Sequence, residues 1–303
     1  MAALLGPTAS GKSETALLVA ERAGAAIVSA DSMQVYRGMD IGTAKPTLEE
    51  RFRVPHHLVD LVDPQEPFTV ADYQAAGRKV LDRLEADGVP VLIVGGSGLH
   101  FRSLIDPLEF AAADPGVRAG VEALDDGEAV GALLAADPGA GAHVDLANPR
   151  RVARALEVFR LTGATPSERA RHPRAAAVRH YRSRVPLVAV YIDPGEAMPA
   201  RVEQRFDAMM TAGFLEEVAG LRPRLGLTAR QAAGYRQLLP VVTGERTMDE
   251  GRRRAIDATR ALAGRQRTFF GRDPRLMRLG WDDDPERRAH LVWERLAEAR
   301  WTS

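Results

Sequence analysis

Apolar residues in the first hundred positions alternate between two rhythms. Leu4-Leu5, Ala25–Ser29 and Val89–Val94 are short, nearly unbroken apolar runs, the length of strands buried on both faces. Between them, Lys12 to Ala23 puts Leu17, Leu18 and Ala20 on one side at helical spacing. Val70 to Ala86 is amphipathic and follows Thr69, a residue type that caps helix starts. His57–Val62 reads as one more strand. Strand and helix in turn, with continuous apolar strands, predict an α/β fold: a parallel sheet with helices on both faces.

From Asp114 the rhythm changes to alanine-rich helical segments broken at Asp114-Pro115, Asp137-Pro138 and Asn148-Pro149. The next strand candidate is Val185–Ile192, followed by helices, a short strand at Leu276–Leu279 and a final helix from Pro285. The expected organisation is a core of residues 1–112 and 185–303, interrupted by an all-helical insertion over 113–184.

Composition narrows the chemistry. The absence of cysteine excludes disulfides, a thiol nucleophile and thiolate metal sites. No apolar run approaches the ~20 residues of a membrane helix. The apolar start has no basic flank and runs into a glycine-rich loop, so it reads as a strand and not a signal peptide; a cytoplasmic protein is expected. Net formal charge is zero, so any nucleic-acid signal lies in distribution. Lysine occurs only at positions 12, 45 and 79, whereas arginines crowd between Arg150 and Arg184, after an acidic stretch from Asp114 to Asp145. That is a local basic region in a neutral chain, equally readable as a solvated helical surface.

Gly6-Pro7-Thr8-Ala9-Ser10-Gly11-Lys12-Ser13 fits the phosphate-loop pattern, placed after a strand and before a helix. Its N–H groups and the helix N-terminus favour an anion, Lys12 adds a full charge, and Ser13 offers a hydroxyl suited to Mg²⁺. The strand Val91–Val94 ends in Gly95-Gly96-Ser97-Gly98 without the carboxylate that usually holds Mg²⁺ for ATP hydrolysis. Asp60 and Asp63, after the weaker strand, are the remaining acidic candidates. The pattern points to a diphosphate held as a leaving group. Asp31, just past the Ile27-Val28 strand, falls at the sheet edge where ligands sit. A carboxylate there repels a diphosphate but suits a general base; the plainer alternative is a turn aspartate.

The run Asp31-Ser32-Met33-Gln34-Val35-Tyr36-Arg37-Gly38-Met39-Asp40-Ile41-Gly42-Thr43-Ala44-Lys45-Pro46 resembles the signature of the tRNA dimethylallyltransferases (tRNA isopentenyltransferases). So do Pro55-His56-His57-Leu58, Gly95–Leu99, Asn148–Val158, Arg201–Phe206, Gly234-Tyr235 and Thr259-Arg260 through Arg265–Thr268. The resemblance covers nearly the whole chain in order. It implies a P-loop kinase-like core with a helical insertion gripping the anticodon stem-loop of tRNA. The implied reaction moves a dimethylallyl group from dimethylallyl diphosphate to N6 of the adenosine 3′ to the anticodon. By matching position, Lys12 and Ser13 with the loop residues Gly6, Thr8, Ala9, Ser10 and Gly11 hold the diphosphate and its Mg²⁺. Asp31 is the general base and Arg205 braces the diphosphate. Asp31, Ser32, Met33, Gln34, Ser97, Arg150, Arg151 and Arg154 face tRNA, and the enzyme is expected to act as a monomer.

The chain departs from the family pattern at Ser13 and Ser97, where threonine is usual, and at His100, where tyrosine is usual. Gly264, Phe269 and Gly271 replace lysine, tryptophan and arginine, which keeps that segment out of the expected catalytic set. Paired His56-His57 point to opposite faces of a strand and do not suggest a metal site. Gly42–Lys45 reads as a substrate-facing loop, Trp281 with Asp282–Asp284 as a surface turn opening a helix, and Trp293 and Trp301 as packing residues. The rival readings are an ATP-dependent small-molecule kinase, an isopentenyltransferase of free adenine nucleotides, and a P-loop RNA-binding protein without chemistry.

Overall fold

Side chains that alternate along a strand must find two separate cores, and here they do. The computed structural model describes residues 1–111, 114–299 and 301. Six parallel strands form one sheet: β1 (Ala2–Leu5), β2 (Ala26–Ala30), β3 (His56–His57), β4 (Val91–Gly95), β5 (Val188–Ile192) and β6 (Leu276–Leu279), in the order β3-β2-β4-β1-β5-β6. Ala3, Leu5, Val28, Ile93 and Tyr191 enter one core with Phe101, Phe206, Phe214 and Tyr235. Their neighbours Ala2, Leu4, Ile27, Leu92, Val190 and Ile192 enter the other, against Leu17, Val292 and Leu296.

The helices start where capping chemistry places them. Thr69 and Asp72 exchange capping bonds ahead of the Val70–Ala86 helix, and Asp284 caps Pro285–Glu298. The Lys12–Ala23 helix has no side-chain cap, and its preceding residue, Gly11, sits at φ +80°. Its first-turn N–H groups therefore have no side-chain acceptor at the cap position.

The expected strand at His57–Val62 is not formed beyond His57. Leu58 and Asp60 adopt positive φ, and the N–H groups of Asp60, Leu61 and Val62 bond to Gln34 and Val35 carbonyls instead. The competing force is electrostatic. Asp60 turns to meet Lys45 (2.7 Å) and Arg51 (2.6 Å), and the half-buried Lys45–Asp60 pair overrides strand propensity.

Two compact units result, Met1–Ile105 with Val185–Ser303, and Asp106–Arg184; the expected boundary at residues 112 and 113 lies outside the described residues. In the second unit the Asp-Pro and Asn-Pro breaks are resolved as helix punctuation. Asp114 and Asn148 cap the helices Pro115–Glu122 and Pro149–Thr162, with proline in the first turn. Asp137 closes Asp126–Ala136 and receives Ser167 N and Oγ at 2.7 and 2.8 Å. Ala129, Leu133, Ala140, Val152 and Ala155 form this unit's own small core.

Candidate active site

The carboxyl edge of β1, β2 and β4 opens into a cavity of about 550 Å³. Gly6-to-Ser13 forms its floor. Gly6 admits no side chain, because an added Cβ would collide with Ile192 O and Ser10 Oγ. Thr8, Lys12 and Ser13 face the cavity, while Ala9 (φ +61°) and Gly11 (φ +80°) shape the turn behind them. Lys12 Nζ donates to Pro7 O at 3.2 Å.

Two cations share this space. Burial, and then the neighbouring Arg205 guanidinium, push the Lys12 ammonium down to about 8, with Asp31 pulling in the opposite direction. Arg205 is itself lowered by burial and raised by Asp31. Neither residue has an ion-pair partner within salt-bridge distance among the described residues. Buried like charges held together with no carboxylate in direct contact suit the binding of an anion.

Asp31 stands across from them. Its Oδ1 accepts Met33 N–H at 2.8 Å and Gln34 N–H at 3.4 Å. One oxygen serves the turn and fixes the carboxylate's direction, and the other takes no hydrogen bond among the described residues. Ser32 and Met33 line the same wall. Gln34 also lines it, but its amide is committed, accepting from Ser29 Oγ (2.7 Å) and donating to Thr43 O (3.2 Å) and Ala44 O (3.1 Å).

The Gly42–Pro46 segment borders the cavity and is fastened from behind. Lys45 Nζ bonds Tyr36 O, Asp40 and Asp60 at 2.6–2.7 Å, which makes it a structural cation. Glu217 accepts the N–H groups of Asp40, Ile41 and Gly42 at 2.7–3.0 Å and the Tyr235 hydroxyl at 2.5 Å. The sequence reading did not single out Glu217; its only local signal was an unremarkable Glu-Glu pair on a helix.

Ser97 lies on the cavity wall, its Oγ 2.7 Å from His100 Nδ1, and His100 meets the Tyr73 ring edge-on at 4.6 Å. Burial lowers the His100 pKa, and Asp31 raises it. Imidazole thus fills the place of the usual tyrosine and keeps a polar partner for Ser97. The segment set aside because of its departures contributes Thr259, Leu262, Arg265, Gln266 and Phe269 to the cavity. Gln266 Oε1 accepts Thr8 N–H at 2.8 Å, and Phe269 packs so closely on Gly98 that a Cβ there would strike its ring.

Asp60 is bound to Lys45 and Arg51, and Asp63 is paired with Arg224, so both acidic alternatives are occupied elsewhere. Among the described residues no cluster of three or more histidines and acids stands ready for a metal. In the insertion, Arg154 pairs with Glu157 (2.8 Å) and donates to Ala111 O (2.8 Å), and Arg151 reaches Asp145 at 3.4 Å. Arg150, on the same helix, is exposed. Asp284 caps the last helix, and Trp293 and Trp301 pack on the second core. No helix among the described residues is long and apolar enough to cross a membrane.

Comparison with known proteins gives one answer. The family model described as IPP transferase matches residues 34–273, and that described as isopentenyl transferase matches residues 1–58. The chain is 43% identical to a tRNA dimethylallyltransferase of Streptomyces griseus, over 91% of this chain and 89% of that one. It is 41% identical to the tRNA dimethylallyltransferase of Bifidobacterium longum, over 90% and 84%. The crystal structure of the tRNA isopentenylpyrophosphate transferase from Bacillus halodurans superposes with a TM-score of 0.69 at 32% identity, covering 99% of this chain and 97% of that one. A eukaryotic dimethylallyltransferase acting on tRNA shares the fold, with a TM-score of 0.79 at 21% identity, over 99% of this chain and 79% of that one. A phosphate loop, a facing arginine and a carboxylate gathered on one cavity, with these matches along nearly the full length, lead to one conclusion: the chain belongs to the IPP transferase family.

Proposed function

We propose that the protein transfers the dimethylallyl group of dimethylallyl diphosphate to N6 of the adenosine 3′ to the anticodon in tRNA, in the cytoplasm. The observation that carries this reading is the gathering of two cations without a direct ion-pair partner, Lys12 and Arg205, with Asp31 around a single cavity. The relatives' names supply the substrate class.

An exocyclic adenine nitrogen is a weak nucleophile, so the donor carbon is the one to activate. The C–O bond to diphosphate breaks and the C–N bond forms. Negative charge grows on the departing oxygens, where Lys12, Arg205 and the loop N–H groups meet it; such contributors are typically worth ~10²–10³ each in rate. Asp31 takes the N6 proton with the oxygen that the turn leaves open, a step worth roughly 10²–10⁴. Thr8 N–H joins the anion donors once Gln266 gives way. Val202, Phe206, Met209 and Phe214 supply an apolar wall to the same cavity, suited to the prenyl chain.

Mg²⁺ fits the residues present as a donor-borne ion. Ser13 offers an exposed hydroxyl on the cavity, and Mg²⁺ often takes most of its remaining ligands from substrate phosphates and water. Bound there, it would offset diphosphate charge. Ser32, Met33 and Ser97 would meet the splayed adenosine, and Arg150 the stem phosphates, with the protein acting as a monomer.

The deciding experiment incubates the protein with unmodified tRNA, Mg²⁺ and dimethylallyl diphosphate without ATP, followed by mass spectrometry of nucleosides. A prenyl unit on adenosine is expected. No prenylation, with ATP consumed when a small alcohol is added, would establish the kinase instead.

A further inference from the structure

A loop that turns its N–H groups toward an anion must turn carbonyls the other way, and those carbonyls need donors. Here two side chains outside the loop supply them, and a third braces the turn that carries one of the two. Trp281 Nε1 donates to Ser10 O at 2.9 Å, and Arg201 Nε donates to Ala9 O at 2.9 Å. The Arg201 guanidinium lies 4.7 Å from the Trp281 ring centroid and binds Asp283 at 2.8 Å. Arg288, 1% exposed, packs under Gly11, with its NH2 2.7 Å from where a Cβ would stand. It donates to Asp282 O and Asp283 O, both at 2.7 Å, and to Thr15 Oγ1 at 3.2 Å. The turn bearing Trp281 is thereby tied to the helix that follows the phosphate loop. Trp281 and Arg288 both lie beyond residues 34–273, where the IPP transferase model matches.

We propose that Trp281, Arg201 and Arg288 are positioning residues that pin the outer, carbonyl side of the phosphate loop and so aim its N–H side at the diphosphate. Ala9, a non-glycine residue at φ +61°, is the point most in need of support, since that geometry persists only where surroundings enforce it. The proposal rests on the diphosphate reading of the loop.

Two variants test it through inorganic diphosphate with Mg²⁺, by calorimetry. Trp281→Phe keeps the ring and removes only the indole N–H, leaving Ser10 O unpaired. Diphosphate Kd is expected to rise about tenfold, equivalent to ~1.4 kcal/mol, with the donor KM rising in parallel and the tRNA KM unchanged. Asp283→Ala removes an 83% exposed carboxylate and frees Arg201. Coulomb's law alone would then tighten anion binding, so a two- to fivefold weakening identifies positioning. Wild-type protein that binds no diphosphate overturns the loop reading together with the brace. Diphosphate binding by the wild type that is matched within twofold by both variants overturns the brace alone, as does a loss in which the donor and tRNA KM values rise together.

Discussion

Lys12→Met, followed across pH, measures the cost of holding a buried ammonium beside Arg205 at the heart of the site. In the folded protein the Lys12 ammonium is depressed from 10.5 to about 8. Between those two values the unfolded chain binds the proton and the native chain does not. Native stability therefore rises with pH through that window and carries the full penalty below it. At ~1.4 kcal/mol per pKa unit the upper bound is about 3.5 kcal/mol, which partial solvent screening trims to roughly 2. The lost hydrogen bond to Pro7 O subtracts equally at every pH, so it drops out of the difference. Urea denaturation of both proteins at pH 7 and pH 10 measures it. Wild type should gain about 2 kcal/mol relative to Lys12→Met between the two. Prenyl transfer by the variant should fall ~10²–10³-fold. A stability difference that stays flat with pH would refute the account of Lys12 as an ammonium depressed by burial and by Arg205. The same shift requires diphosphate, which restores the Lys12 proton, to bind less tightly as pH climbs past about 8.

Three further outcomes follow from other parts of the site. Asp31→Asn keeps an oxygen for Met33 N–H but no base, so single-turnover prenylation should drop ~10²–10⁴-fold with tRNA Kd unchanged by filter binding; joint loss of both would mean the carboxylate only shapes the turn. Glu217→Gln leaves one oxygen for four donors and should lower the unfolding free energy by about 2–3 kcal/mol in urea, with an unaltered m-value. Arg150→Ala should weaken binding to all tRNAs alike and reduce the log–log salt slope by about one; no change in slope removes Arg150 from the interface.

How much of this was legible in sequence divides along a physical line. The strands and the Lys12–Ala23 and Val70–Ala86 helices were readable because each is decided by its own periodicity, with Thr69 capping the second helix. The same holds for Asp31 and the phosphate loop, which sit at a strand end that local pattern already marks. The strand at His57–Val62 failed because Asp60 answers to Lys45 and Arg51, partners fifteen and nine positions away. Glu217, Gln266 and Trp281 were missed for the same reason on a larger scale. Glu217 caps N–H groups about 175 positions upstream, and Gln266 meets Thr8 across 258. Nothing in a helical Glu or Gln announces a distant backbone as its partner.

The phosphate loop therefore depends on two sets of distant residues with opposite duties. On the cavity side, Lys12 and Arg205 are held buried beside one another, a placement that an anion bound there would stabilise. On the outer side, Arg201 and Trp281 satisfy the carbonyls that this orientation leaves exposed. Crowding on one face is tolerable because the Ala9 and Ser10 carbonyls are held on the other; an unsupported loop would relax by rotating Ala9 out of its positive φ and turning a carbonyl toward Lys12. Affinity for the leaving group is thus set partly by residues that never touch it. The loop should soften first wherever the Asp282–Asp284 turn is disturbed, while the cavity wall at Ser32, Met33 and Ser97 stays intact.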